Sequence, residues 1–218
     1  MQRVLAVLGW LGLLCACACD SSPGAMGQAH FSTDCAPTDQ ACMAAGLYAP
    51  IAKGGRVSLD VGVNYSGTAA LALVLQSVDP AVLQASGNEL TGIEEGVVAL
   101  LVQAPGQRVI DFIHVSVKAP SRLGIHRLGS ESGDLGELSP NVQLLTGDQI
   151  SVDVRPYDDD SLLLGALDAT WSASGDAVTM INPGLGSRRQ LVARTPGSAR
   201  LTVTSGAMNG HIDLEVLP

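Results

Sequence analysis

Aliphatic and polar residues alternate along most of this chain, and a period of two residues predicts β-strands. In Val57–Val63 and in Gln149–Arg155 every second residue is aliphatic, as in a strand with one buried face. In the second segment we expect Ile150, Val152 and Val154 to face the core. Turns that contain Gly, Asn or Pro separate further short apolar runs. Those runs predict strands at 71–75, 82–85, 89–93, 97–103, 109–117, 169–173, 178–181, 190–194, 199–204 and 211–216.

The pattern of strands occurs twice, with its two copies about 100 residues apart. Gly54-x-x-Val-Ser-Leu-Asp-Val61 matches Gly147-x-x-Ile-Ser-Val-Asp-Val154, and Gly96–Val102 matches Gly197–Val203 less closely. Many short strands with turns between them are typical of β-sandwiches. We therefore predict an all-β fold with two tandem antiparallel β-sandwiches, one over 47–118 and one over 121–218.

The first 16 residues have the pattern of a secretory signal peptide. Arg3 supplies a positive charge, and the apolar run Val4–Leu14 follows it. As a helix, that run spans about 16 Å, which is too short for a bilayer core of about 30 Å. A charged start, a short apolar run and small residues after it predict export and cleavage.

The segment after the apolar run, Leu13-Leu-Cys-Ala-Cys-Ala-Cys19, resembles a bacterial lipobox. Cys17 fits best, because Leu14 lies three residues before it and Ala16 directly before it. Cys19 is the alternative and lacks the Leu, while Cys15 fits least well. The resemblance implies that the thiol is acylated and that several acyl chains hold the protein on a membrane. Ordinary cleavage without lipid attachment is the competing interpretation.

Residues 17–46 are rich in Gly, Ser, Ala, Asp and Pro, which predicts a flexible stalk. Cys35 and Cys42 lie within it, with turn-forming residues between them. Since an exported protein meets an oxidising compartment, we predict a local disulfide between these two cysteines. A metal site is the weaker alternative, because no His or third Cys lies at ligand spacing.

Composition limits the chemistry available to the chain. Aromatic residues make up 3% of it, so the cores must be aliphatic, and the formal net charge of −9 disfavours nucleic acid. No Gly-x-Ser-x-Gly motif occurs, and the four histidines, His30, His114, His126 and His211, are isolated in sequence. We therefore expect no enzyme activity, no catalytic residues and no cofactor.

The acidic run Asp158-Asp159-Asp160 is a weak metal candidate. Three carboxylates in one loop suit Ca²⁺, which takes six to eight oxygen ligands. The spacing of an EF-hand is missing, and a polar connection between strands is the simpler interpretation. A calcium- or small-ligand-binding envelope protein that uses this loop is the alternative function.

The second copy of the repeat also resembles bacterial immunoglobulin-like domains of group 2. The similarity lies in Gly147–Val154, in Trp171-Ser172 and in Gly197-Ser-Ala-Arg-Leu-Thr-Val203. The first copy matches less well and lacks the Trp. The resemblance implies immunoglobulin-like sandwiches and a non-catalytic role in adhesion, spacing or partner binding. The expected location is the bacterial envelope, as an outer-membrane lipoprotein facing the periplasm or the cell surface, with an envelope or extracellular protein or polysaccharide as partner.

Overall fold

The computed structural model describes residues 27–33, 42, 46–64, 72–129, 133–181 and 187–218. Apart from a short 3-10 helix at Gly46–Tyr48 and the helical residue Cys42, the regular structure in these ranges is β-strand. No helix among them is both long and apolar enough to cross a bilayer. The predicted signal peptide at 1–16 and the candidate anchors Cys17 and Cys19 lie outside the described residues.

Eight strands form the first half. They are β1 (Gln28–Thr33), β2 (Ile51–Ala52), β3 (Arg56–Asn64), β4 (Val74–Ser77), β5 (Leu83–Ser86), β6 (Glu89–Gly92), β7 (Gly96–Ala104) and β8 (Arg108–Lys118). One sheet has the order β1-β3-β6-β5, and the other has the order β2-β8-β7-β4.

Ten strands form the second half. They are β9 (Arg122–Leu128), β10 (Asp134–Glu137), β11 (Asn141–Leu145), β12 (Gln149–Asp158), β13 (Ser161–Leu162), β14 (Thr170–Ser174), β15 (Val178–Ile181), β16 (Arg189–Ala193), β17 (Gly197–Ser205) and β18 (Met208–Leu217). One sheet has the order β10-β9-β12-β16-β15, with β13 paired to β12, and the other has the order β11-β18-β17-β14.

The two halves share one strand order. When β10 and β13 are set aside, β9-β12-β16-β15 corresponds to β1-β3-β6-β5, and β11-β18-β17-β14 corresponds to β2-β8-β7-β4. This arrangement has the A-B-E-D and C-F-G strand neighbours of an immunoglobulin sandwich, with a short extra strand beside the last one. The predicted all-β, immunoglobulin-like fold is confirmed.

Pairing is antiparallel except at one short strand in each half. In each half the short extra strand, β2 or β11, runs parallel to the last strand, β8 or β18. A parallel pair needs a long connection between its strands. Here the connection is almost a whole sandwich of intervening strands. The local alternation of apolar and polar residues therefore gives no sign of the parallel pairing.

The predicted stalk at 17–46 is too long. Residues 28–33 form β1, which pairs with β3 from Gln28 opposite Asn64 to Thr33 opposite Leu59. The segment is rich in small and polar residues because only part of it faces the core, where Ala29 is buried and Phe31 is partly buried. The first sandwich therefore includes residues before 47.

Aliphatic side chains fill both sandwiches. In the second, Ile150, Val152 and Val154 point inward as predicted, and Leu201 and Leu214 meet them from the facing sheet. Trp171 lies in the same core. Burying a Leu, Ile or Val side chain contributes about 1.5–3 kcal/mol. Many such residues therefore hold the paired sheets together with few aromatic side chains.

Each half also contributes one residue to the core of the other. Leu164 is fully buried among the first-half residues, and Ala52 is fully buried among those of the second half. Four backbone hydrogen bonds cross the same boundary: Leu164 N–H to Pro50 O, Ala52 N–H to Leu164 O, and a reciprocal pair between Arg56 and Ala166. The two sandwiches therefore meet through ordered backbone and shared core.

Two ion pairs flank this junction. Arg56 forms a two-pronged pair with Asp168 across the boundary, and Lys118 Nζ lies 2.6 Å from Asp158 Oδ2. Both pairs are partly exposed, so each adds little stability. The shared core is the main source of cohesion.

Leu163 and Leu164 give a matched test of the junction. Both are buried, but Leu163 packs in the second core and Leu164 in the first. Each change to Ala should lower the free energy of unfolding by about 2–5 kcal/mol. Hydrogen exchange followed by mass spectrometry should show lost protection mainly in β3, β6 and β8 for Leu164→Ala, and mainly in β12 and β17 for Leu163→Ala. If Leu164→Ala leaves the exchange of the first sandwich unchanged, the shared core is wrong.

Candidate functional site

The outer face of β12 carries a row of polar side chains that are buried. Asp153, Arg155 and Tyr157 alternate with the inward Val152 and Val154 along this strand. Alternation predicts that these polar residues point away from the core of their own sandwich, and they do. All three are nevertheless buried, because other parts of the protein cover this face.

His126 on β9 organises one end of the row. Its Nδ1–H donates to both carboxylate oxygens of Asp134 at 3.0 and 2.9 Å, and the Tyr157 hydroxyl lies 2.7 Å from its Nε2. The side chains of His126 and Asp134 are 7% and 1% exposed. His126 is isolated in the sequence but not in the structure, where it contacts Asp134 and Tyr157. Asp134 belongs to β10, a strand that lies in a Gly- and Ser-rich stretch without clear alternation.

This arrangement superficially resembles a catalytic group of acid, base and hydroxyl. The carboxylate only accepts, so it fixes a proton on Nδ1, and Nε2 shares a hydrogen bond with the Tyr157 hydroxyl. An activated tyrosine needs a lowered pKa. Here burial, assisted by the negative charge of Glu137, raises the pKa of Tyr157. The phenol is therefore held in its protonated form, and the network serves to fix β10 against β9 and β12.

Arg122 covers the other side of the tyrosine ring. Its guanidinium carbon lies 3.9 Å from the ring centroid, a cation–π contact, and its Nη1 donates to Glu137 Oε1 at 2.6 Å. Glu137 also belongs to β10. Contacts with Arg122 and His126 from the neighbouring strand therefore leave only 8% of Tyr157 exposed.

The predicted metal candidate does not form a metal site in the described part of the chain. Asp158 ends β12, Asp159 and Asp160 make the tight turn to β13, and Asp159 has a positive φ of 52°. Asp tolerates this conformation in turns. Asp158 pairs with Lys118, and this hydrogen bond raises the pKa of the lysine. No group of three His, Cys, Asp or Glu side chains suited to a metal occurs among the described residues.

Of the two cysteines in the predicted disulfide, the structure describes one. Cys42 is buried in the first core, near Leu47 and Val57. Cys35 lies outside the described residues, so the pairing stays a prediction.

An apolar surface lies on the outer face of the sheet β2-β8-β7-β4. Val97 and Leu101 on β7 lie on this face with Phe112 on β8, and Phe112 is directly opposite Leu101. Val74 on β4 extends the surface, and the ring of His114 meets Phe112 edge-on with centroids 5.4 Å apart. Val74, Val97 and Phe112 are each more than half exposed. Gln76 and Gln103 share this face and hydrogen-bond to each other, so the exposed apolar side chains alternate with polar ones.

No protein-family model and no curated protein matches the sequence. Solved structures give distant similarities. Domains 4 and 5 of the S-layer protein SbsC are 15% identical, with 88% of this chain and 99% of that chain covered and a TM-score of 0.34. Invasin, a bacterial integrin-binding protein, is 13% identical, with 87% and 40% covered and a TM-score of 0.31. A β-glycosidase from Bacteroides vulgatus is 11% identical, with 88% and 25% covered and a TM-score of 0.34.

This chain therefore spans less than half the length of invasin and of the glycosidase. At these values the similarities assign no family and transfer no activity. The strand order of the chain itself defines the class of fold.

The raised pKa of Tyr157 predicts a late ionisation step. In the folded protein, the ultraviolet absorbance of phenolate should include a tyrosine that ionises above the ordinary value of about 10. Tyr157→Phe should remove this step, and Tyr48→Phe, at an exposed position, should leave it in place. A wild-type titration with no delayed step would contradict the buried network.

The raised pKa of Tyr157 also affects how the free energy of unfolding depends on pH. The unfolded state loses the Tyr157 proton at lower pH than the folded state does, so stability should fall as the pH rises above about 10. Tyr157→Phe should make this fall less steep. Denaturant unfolding at several alkaline pH values measures the difference.

Proposed function

We propose that this chain is a non-catalytic, lipid-anchored protein of the bacterial cell envelope, with immunoglobulin-like modules that space and present a partner-binding surface. The observation that carries the proposal is the junction between the sandwiches. Shared core residues and four crossing backbone hydrogen bonds make the two modules one unit of defined geometry. Such a unit suits spacing and display better than catalysis.

The anchor rests on the lipobox-like segment that ends at Cys17, with Cys19 as the alternative. Because β1 begins at Gln28, about ten residues separate Cys17 from the first sandwich, and they reach at most about 36 Å. The first module is thus tethered close to the membrane, as an outer-membrane lipoprotein facing the periplasm or the cell surface. The proposed Cys35–Cys42 disulfide lies between β1 and β2, where the buried Cys42 joins it to the core.

The apolar surface around Phe112 is the proposed contact for an envelope or extracellular partner. The side chain of Phe112 is large and exposed, and aromatic residues of this kind often carry much of the binding energy of an interface. The surface lies on the sheet face opposite the core, and Phe112 is 54% exposed with the two sandwiches joined. It is therefore accessible while the modules stay joined.

A non-catalytic role fits the chemistry of the described site. The one linked set of acid, imidazole and hydroxyl groups that we identify in the described residues is enclosed, and its hydroxyl has a raised pKa. These features stabilise a fold and do not activate a nucleophile.

Lipid attachment is tested by mass spectrometry of the protein from native membranes. We expect an acylated N-terminal cysteine at position 17, and we expect Cys17→Ser to abolish both the modification and recovery in the membrane fraction. Cys19→Ser is the matched control and should leave both intact. If Cys19→Ser alone abolishes the modification, the anchor lies at the alternative cysteine, and unmodified sulfur at both positions would end the lipid-anchor proposal.

Partner binding is tested by pull-down from intact envelopes, with surface-protease accessibility measured on the same cells. Phe112→Asp should abolish the capture of proteins or polysaccharides that the wild type retains. Leu145→Asp introduces the same charge at an exposed apolar position of the second sandwich and should not abolish it. Equal losses in the two variants would argue against the Phe112 surface, and turnover of an ester, peptide or glycoside that a single substitution removes would overturn the non-catalytic role.

A further inference from the structure

A cavity of about 170 Å³ lies between the two sandwiches, and we infer that it binds a small oxyanion through Arg155. Arg56 and Ser58 of the first sandwich contribute to its lining, and Asp153, Arg155 and Arg188 contribute from the second. The inference does not depend on the proposed adhesive role. It concerns Asp153 and Arg155, the two residues of the buried polar row on β12 that take no part in the contacts between Tyr157 and His126.

Arg155 carries the argument. Its side chain is 7% exposed, and neither Nε nor Nη2 has a hydrogen-bond partner in the structure described. Nε and Nη2 lie on the same edge of the planar guanidinium group. That edge presents two parallel N–H donors, which match two oxygens of a carboxylate or a phosphate. Buried donors of a charged group are normally satisfied, so this edge needs an acceptor.

Asp153 supplies opposite charge but does not satisfy this edge. Its Oδ2 lies 3.3 Å from Arg155 Nη2 without making a hydrogen bond, and its Oδ1 accepts the Val154 N–H at 2.9 Å. Asp153 therefore reduces the cost of burying the guanidinium charge and leaves its two donors available.

The dimensions and chemistry of the cavity define the class of ligand. A cavity of about 150 Å³ accepts a molecule the size of benzene, so this one suits inorganic phosphate or a short carboxylate. Arg188, whose side chain is 45% exposed, connects the cavity with solvent. Arg56 adds a second guanidinium from the first sandwich, although it also pairs with Asp168. Both sandwiches would contribute to the site, so the anion would bind at their boundary.

Isothermal titration of the full-length protein tests the inference, with sodium phosphate, sodium acetate and sodium chloride at matched ionic strength. We expect saturable heat with phosphate or acetate and none with chloride. Phosphate alone would identify a tetrahedral oxyanion, and acetate would identify a carboxylate; either supports the inference. Thermal unfolding should shift upward with the same anion, because a ligand of the folded state stabilises it.

Arg155→Met should weaken binding at least about tenfold, which corresponds to about 1.4 kcal/mol. Arg200→Met is the matched control: it removes an equal charge from an exposed arginine paired with Asp213 on another sheet, and binding should persist. Arg155→Lys keeps the charge without the two-donor edge and should also weaken binding, which covers the case in which Arg155→Met fails to fold. Heat-silent titrations up to tens of millimolar, equal binding of chloride, or equal losses in Arg155→Lys and Arg200→Met would overturn the inference.

Discussion

Every sheet in this protein has one apolar face that must be covered, and aliphatic side chains are almost the only means of covering it. Two sheets packed face to face meet that requirement. The chain does this twice with the same strand order, and Leu, Ile and Val residues from facing strands interdigitate. Few aromatic residues contribute, so the cohesion of each sandwich is spread over many modest contacts, with Trp171 the largest single side chain in the second core.

The junction follows from the same requirement. Leu164 leaves its own sandwich and fills space in the other, and the backbone around it is bonded to the segment near Pro50 and Ala52. Since two sandwiches that share core residues cannot separate without exposing apolar surface, their orientation becomes part of the fold. Their contact also buries Asp153 and Arg155, which alternation alone places on a solvent-facing side. The defined orientation of the two sandwiches and the polar cavity thus have one structural origin.

The second sandwich has two strands, β10 and β13, with no counterpart among the described strands of the first. The edge strand β10 joins its larger sheet beside β9, and the contacts of Asp134 and Glu137 with His126 and Arg122 hold it there. An added edge strand covers β9, which would otherwise be an open edge, and polar contacts make the pairing specific. The corresponding edge strand of the first sandwich, β1, has no such cover among the described strands.

The candidate site could be predicted in part. The repeated Ser-x-Asp-Val motif places Asp60 and Asp153 at equivalent points, yet Asp60 is exposed and Asp153 is buried. Nothing in the motif distinguishes them, because the residues that cover Asp153, among them Arg155 and Arg188, lie outside the motif. His126 is similar: its partners lie 8 and 31 residues away, on strands that have no fixed spacing in sequence. Asp159 and Asp160 lie in a connection between strands, as the simpler interpretation of the acidic run predicted. The three adjacent carboxylates do not form a group suited to a metal among the described residues.

The sequence alone determined the strand-rich fold, the twofold repeat and the inward side of strands such as β12, because a period of two residues is a local property of the backbone. The tertiary structure decided where β1 begins the first sandwich, which short strands run parallel, and how Leu164 and Arg155 lie between the modules. These features depend on contacts between residues that are distant in the chain. They are stabilised by the burial of surfaces that are far apart in the unfolded chain.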